Sequence, residues 1–345
     1  MAAGQRLREA SLRRRPCPQP RGGPLGTRSA FDRAFPLRRA DGRGLALFGR
    51  VSGVAALGVA SVVLVAGTGC GERVEPTDEL RLYPVLVEAG GAGSLRLRRP
   101  ARRIVVLSRG PLDILRRLDL GSRVVLAPTA AARARGAFDR SGRLVTASLR
   151  GLHADLVLAS SADPRTEVVR AGRAARAPVY VAPGSAIADV ERGIADIGLL
   201  SGRVLAARRL VLAIEARRRA VAGRLAGRPR VAVFVDRGFR TTVSTRSLAG
   251  RLLTEAGGRN VAGASAGVEP FEAARLAHLD PLVYIATSDS GASLGLLRRN
   301  RLTRRLAAVR RGRFTVVPAA LLEPGPRVGE AVERLARLLH PDAFR

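Results

Sequence analysis

Eight short apolar runs, split into two sets of four by some 50 residues without one, constrain the fold of this chain more than any other feature. The first set is Ile104–Leu107, Val124–Ala127, Leu156–Ala159 and Val179–Val181, with helical patterns at Pro111–Leu120 and Glu167–Ala175 between its members. The second is Val231–Val235, Thr241–Ser244, Leu282–Ala286 and Thr315–Val317, with helices predicted at Leu248–Ala256, Phe271–Leu279, Leu294–Ala308 and Val328–Leu339. Short continuous apolar runs separated by helices are the mark of strands buried on both faces of a parallel α/β sheet. The intervening zone is helical. Asp189 to Leu200, with Asp189 as its cap, carries Val190, Ile194 and Ile197 on one face; after Ser201-Gly202 a second helix runs from Val204 to about Leu225, with Leu205, Leu212, Ala216 and Ala220 as its apolar positions, and Gly227 to Pro229 ends it. The expected fold class is therefore α/β: two parallel-sheet lobes joined by a single long backbone helix. The domain reading is an N-terminal lobe over 81–188, connecting helices over 189–227 and a C-terminal lobe over 228–345. Leu82–Val87 and Leu95–Leu97, flanking a glycine-rich turn at 90–93, predict a small hairpin ahead of the first lobe.

The sequence before the lobes reads as a targeting region. Arg38, Arg39, Arg43 and Arg50 form a positive segment, Val54 to Ala66 an apolar one, and Thr68-Gly69 a small-residue cleavage site followed at once by Cys70. A cysteine in that position is similar to the lipobox of bacterial lipoproteins, whose thiol is lipidated, although Gly67 stands where leucine is usual. The 19 uncharged residues from Val51 to Gly69 also suit an uncleaved membrane anchor. Either reading puts residues 71–345 on the extracytoplasmic face, with 71–80 as a polar tether. Residues 1–50 are rich in Arg, Pro and Gly without a sustained apolar period. They read as a disordered extension or as sequence ahead of the true translation start.

Composition excludes several chemistries. None of the 60 basic residues is lysine, so there is no P-loop lysine, no Schiff base and no Ser-Lys dyad. The net charge of +32 would ordinarily suggest nucleic acid. The arginines are spread along every helix beside abundant Ala, Gly and Pro, a pattern of GC-rich codons, so no nucleic-acid partner is expected and attraction to an anionic membrane surface is a by-product. Cys17 and Cys70 are the only cysteines, which leaves no disulfide for an exported chain. His153, His278 and His340 are the only histidines and lie away from the strand ends, so no metal site and no cofactor are expected; Ser108, Ser160 and Ser288 have no histidine at a neighbouring strand end, so no acyl-transfer triad is expected and the chain reads as a non-enzyme.

Five segments carry a family resemblance. They are Tyr83-Pro84 with Pro100 to Ser108 (PARRIVVLS), Ile114 to Val125 (ILRRLDLGSRVV), Ala154 to Leu158 (ADLVL), Glu255 to Ala262 (EAGGRNVA), and Arg327 to Val332 (RVGEAV) with His340-Pro341. In this order the chain resembles the ABC-importer substrate-binding lipoproteins for cobalamin and ferric siderophores. The resemblance implies one ligand cleft between the lobes, an iron chelate or cobalamin-like cargo, and an ABC permease with its ATPase as partners. Open α/β sheets place ligands beyond the carboxyl ends of their strands, and the loops there supply the expected ligand-binding residues: Ser108, Arg109, Thr129 and Ser160 in the first lobe, and Arg237, Phe239, Arg240, Ser288 and Glu323 in the second. Arg109, Arg237 and Arg240 suit an anionic ligand because guanidinium pairs bidentately with carboxylate or catecholate oxygens, and Phe239 suits stacking on a flat one. The family also docks on its permease through a glutamate on each lobe. Glu272 lies near the expected position in the second lobe, whereas Arg150 is nearest in the first. A divergent two-lobed scaffold or sensor that has lost import is accordingly the alternative reading.

Overall fold

The computed structural model describes residues 82–89, 93–238, 241–263, 268–270 and 272–345. Cys70, the apolar stretch before it, the tether, Phe239 and Arg240 lie outside them. The chain opens with the expected hairpin, β1 (Val85–Glu88) antiparallel to β2 (Ser94–Leu97). The first lobe then builds β3 (Ile104–Val106), α1 (Arg109–Arg117), β4 (Val124–Leu126), α2 (Ala130–Ala134), β5 (Leu156–Ser160), α3 (Arg165–Ala175) and β6 (Val179–Ala182). Its four strands are all parallel, in the order β4-β3-β5-β6.

Two helices follow, α4 (Ile187–Ser201) and α5 (Val204–Leu225), broken by Gly202, whose φ of 71° is a left-handed conformation that glycine adopts without strain. α4 starts two residues before the expected Asp189 cap. Asp189 instead sits one turn in, where its carboxylate accepts the Ala186 N–H at 3.0 Å. The far end of α4 is held by Arg123, which donates to the carbonyl of Ser201 at 2.7 Å and to that of Ala101 at 3.0 Å.

The second lobe contains β7 (Val231–Asp236), β8 (Thr241–Val243), α6 (Leu248–Glu255), β9 (Gly258–Asn260), β10 (Val268–Pro270), α7 (Ala273–Leu279), β11 (Val283–Thr287), α8 (Leu294–Arg299), α9 (Ala307–Arg310), β12 (Phe314–Val317) and α10 (Val328–Leu339). Its parallel strands run β9-β7-β11-β12. Taken in chain order, that is the arrangement of the first lobe repeated. The second sheet is nevertheless mixed, because β8 turns back antiparallel along the end of β7 and β10 pairs antiparallel with β8. The expected helix over Leu294–Ala308 is also broken. Asn300 accepts the N–H of Leu302 at 2.9 Å and of Thr303 at 3.4 Å, the local bonding by which asparagine ends a helix.

Alternation along each central strand shows why these runs are apolar throughout. Ile104, Val106, Leu156, Leu158, Val233 and Val235 face one core shared by both lobes with α4, α5 and α10. Val105, Val157 and Ala159 face a second core on the outside of the first sheet, and Ala232, Phe234 and Tyr284 a third on the outside of the second. Both faces of each sheet are covered, as parallel strands require. The connector does not present its expected face to this core. Ala207, Ile214 and Val221 are buried, whereas Leu205 is 61% and Leu212 48% exposed.

Candidate functional site

The strand ends of the two sheets converge on loops that touch. A Cβ placed on Gly184, just after β6, would come within 2.6 Å of Cγ and 2.7 Å of Cβ of Pro324, which precedes α10. A Cβ on Gly110, the second residue of α1, would run into the Pro324 carbonyl oxygen. Two glycines of the first lobe thus form a notch that admits a proline ring from the second. Glycine's missing side chain is used here for close approach rather than for an unusual φ.

Charges flank the notch. Asp113 of α1 faces Arg327 from the second lobe at 3.4 Å, as well as Arg116 at 3.5 Å and Arg109 at 3.8 Å. Farther along α1, Arg117 reaches Glu330 of α10 at 2.9 Å, and Glu330 also pairs with Arg217 of α5 at 3.3 Å. These pairs are exposed, and each contributes little alone. The crevice between the loops, lined by Arg109, Gly110, Asp113, Glu323, Pro324 and Arg327 among others, has a volume of about 10 Å³.

Of the expected ligand-binding residues, the structure brings Arg109 and Glu323 together in this crevice. Ser108 caps α1 from an extended conformation, and its hydroxyl is buried without a hydrogen-bond partner among the described residues. Ser288 lies at the end of β11, where its hydroxyl accepts the Ala319 N–H at 3.2 Å and ties that strand end to the turn before Glu323. Two others have local work instead. The Thr129 hydroxyl accepts the Ala132 N–H at 3.2 Å as the cap of α2, beside a separate groove of about 220 Å³ along the edge strand β4. Ser160 is buried in a turn closed by Asp163, whose carboxylate accepts the Ser160 N–H at 2.7 Å. Arg109 is already paired with Asp113, so its charge is partly spent within the protein.

Arg237 sits at the tip of the β7–β8 turn, half-buried, and among the described residues its guanidinium makes no ion pair. Asp236 sets that turn. Its carboxylate accepts the Gly238 N–H at 2.8 Å and the Tyr284 hydroxyl at 2.6 Å, and Tyr284 stacks between Phe234 and Phe314 with centroid distances of 5.3 and 5.8 Å. Burial pushes the Asp236 carboxyl above the ordinary range, against the opposing pull of the Tyr284 and Gly238 donors. A raised native pKa stabilises the fold fully below the unfolded value of about 3.9, and that contribution is lost as pH rises through the native one. Asp236→Asn keeps an acceptor for Gly238 but cannot ionise. Its stability relative to the parent is therefore expected to rise between pH 4 and pH 7, read from urea unfolding at both; a constant difference would remove Asp236 as the titrating group.

Sequence reasoning places Gly110, Gly184 and Pro324 on the strand-end loops of the cleft but gives them no role there, and it misses Asp113 and Arg327. The first three carry a visible signal, since Gly110-Pro111, Pro183-Gly184 and Glu323-Pro324-Gly325-Pro326 are clusters of conformational punctuation at strand ends. Glu272 is exposed at the cap of α7, and Arg150 is exposed in the first lobe. Among the described residues no group of three His, Cys, Asp or Glu is placed to hold a metal, and no helix is long and apolar enough to cross a membrane. His340 is a tie: its Nε2 lies 3.1 Å from the Gly257 carbonyl and fastens the end of α10 to the turn before β9.

No protein-family model matches the sequence, and no curated protein does. Solved structures do. A periplasmic binding protein from Veillonella parvula superposes with a TM-score of 0.62 at 14% identity, covering 74% of this chain and 97% of that one. The periplasmic heme-binding protein RhuT from Roseiflexus, in apo form, gives 0.58 at 21%, covering 70% and 99%. An ABC-type Fe3+-hydroxamate transport system protein from Saccharomonospora viridis gives 0.58 at 23%, covering 76% and 99%. The chain has the two-lobed fold of these periplasmic binding proteins.

Proposed function

We propose that this chain is the extracytoplasmic substrate-binding component of an ABC importer. It captures a ferric siderophore or cobalamin-like ligand and delivers it to a membrane permease driven by an ATPase. The chain is held at the outer face of the membrane by lipid on Cys70. The observation that carries the reading is the pair of sheets whose parallel strands share one order and whose strand ends meet at one set of loops, Gly110 and Gly184 facing Pro324. Binding is the mechanism: loops from both lobes close on the ligand, and closure alters the surface that the permease meets. Arg237, whose guanidinium makes no ion pair among the described residues, is the anion-binding residue of first choice; Ser108, whose buried hydroxyl has no hydrogen-bond partner among them, Arg240, Phe239 and Glu323 complete the proposed lining. Glu272 is the proposed permease contact in the second lobe. One observation favours the second reading, a scaffold or sensor without import: the crevice between the described loops encloses only about 10 Å³.

Thermal unfolding of the full chain with ferric hydroxamates, ferric catecholates, cobalamin and haem separates the two. A ligand that binds only the native state at 100 times its Kd stabilises by about 2.7 kcal/mol. One class is expected to raise the midpoint, and Arg237→Ala to weaken binding roughly tenfold, the worth of one charge-assisted hydrogen bond. No shift with any class rejects the importer reading in favour of the scaffold.

A further inference from the structure

The solvent face of the connecting helix carries an apolar stripe. Leu205, Leu212 and Ala216 fall within roughly 40° of one another on a helix of 3.6 residues per turn, all three exposed, and the two leucines are among the most exposed large apolar side chains described. Arg208 and Arg219 border this stripe on one side and Arg209 on the other, all exposed and, among the described residues, without an ion pair. The only acid in α5 is Glu215, which is half-buried and lines one pocket with Arg218, Arg219 and Glu255 but makes no ion pair among the described residues. An apolar line flanked on both sides by unneutralised arginines fits a phase that is apolar inside and negative at its surface.

We propose that this face of α5 docks on an anionic phospholipid surface. Leu205 and Leu212 enter the headgroup boundary, and Arg208, Arg209 and Arg219 pair with lipid phosphates. The biological setting rests on the membrane-tethered reading above, whereas the docking itself is independent of any cleft ligand. A second copy of the chain is the other occupant such a stripe could take. The arginines decide against it, because two-fold packing would set them against their own copies.

The test is co-sedimentation of the full chain with vesicles of phosphatidylcholine alone and of phosphatidylcholine containing phosphatidylglycerol. The uncharged stretch 51–69 contributes to both, so the readout is the ratio of the two affinities. Each arginine at an anionic surface is worth about fivefold, so Arg208→Gln/Arg209→Gln/Arg219→Gln is expected to lower the ratio about 100-fold. Leu205→Ser/Leu212→Ser should weaken binding to the mixed vesicles, and added salt should weaken the parent. As a control, Arg298→Gln/Arg299→Gln/Arg304→Gln removes the same charge from an exposed part of the second lobe. If the control lowers the ratio as much as the α5 variant, attraction is diffuse and the proposal fails. Self-association in sedimentation velocity that the leucine substitutions abolish would equally overturn it. Ligand-induced thermal shifts should be unchanged in the α5 variant, which separates failure here from failure of the cleft.

Discussion

Gly184→Val is expected to separate the lobes. The native φ of Gly184 is not in the left-handed range, so valine meets no backbone penalty; it meets Pro324. The proline ring cannot rotate away, and its loop is anchored on one side by buried Leu322 and on the other by the Arg327–Asp113 pair. Since the first carbon of the new side chain already falls 2.6 Å from the ring, the loop or the lobe must move. Overpacking of this kind costs about 1–3 kcal/mol, which for a protein of this size lowers Tm by roughly 2–4 °C per kcal/mol. Small-angle scattering should show a larger radius of gyration than the parent. Pro324→Gly, which removes both of the ring carbons that the new side chain meets, should in combination with Gly184→Val restore much of the lost stability, a coupling that distant sites do not show. An unchanged radius of gyration, or a double variant no better than the single, would mean that the notch does not hold the lobes together.

The strands were legible in the sequence because both of their faces are buried. Ile104–Leu107, Leu156–Ala159, Val231–Val235 and Leu282–Ala286 leave no polar alternation to confuse the reading, and each lies within a residue or two of its strand. β9 was not legible, because Gly258-Arg259-Asn260 has no apolar character and is a strand only through pairing with β7. The connector shows the sharper limit. Hydropathy favours Leu205 and Leu212, yet the buried line is Ala207, Ile214 and Val221. Partner helices select it by close approach. A Cβ on Gly198 of α4 would collide with that of Ala207, and one on Gly329 of α10 would lie 3.2 Å from the Ile214 Cα. Where backbones cross at glycine, a small side chain packs better than a leucine, and only the partner's glycine signals it. The cleft follows the same rule. Its loops were readable as strand ends, but Pro324 against Gly110 is a contact between residues more than 200 positions apart, and nothing local encodes it.

Arg218→Ala should cost about 2–3 kcal/mol. Arg218 stands in the middle of α5 and grips two helices. Its Nε and Nη2 donate to the two carboxylate oxygens of Glu255, the last residue of α6, each at 2.7 Å, and Nη1 donates to Glu191 of α4 at 2.7 Å. The clamp therefore ties the helix that follows the first sheet to one that belongs to the second. Side-chain exposures of 26% for Arg218, 13% for Glu191 and 33% for Glu255 place it between surface and interior. Breaking a fully buried pair costs 3–5 kcal/mol because the surviving charge is stranded, while exposed pairs are worth less than 1; partial solvation puts this clamp between them. The loss leaves two carboxylates without their shared cation. Arg218→Lys keeps the charge but cannot form the two-pronged bond, and should lose about 1 kcal/mol. Removing the whole triad, Glu191→Gln/Arg218→Met/Glu255→Gln, strands no charge and should lie within about 1 kcal/mol of the parent. Urea unfolding at pH 7 decides the matter. A triple variant as unstable as Arg218→Ala would assign the loss to the three bonds of the clamp themselves rather than to the stranded carboxylates.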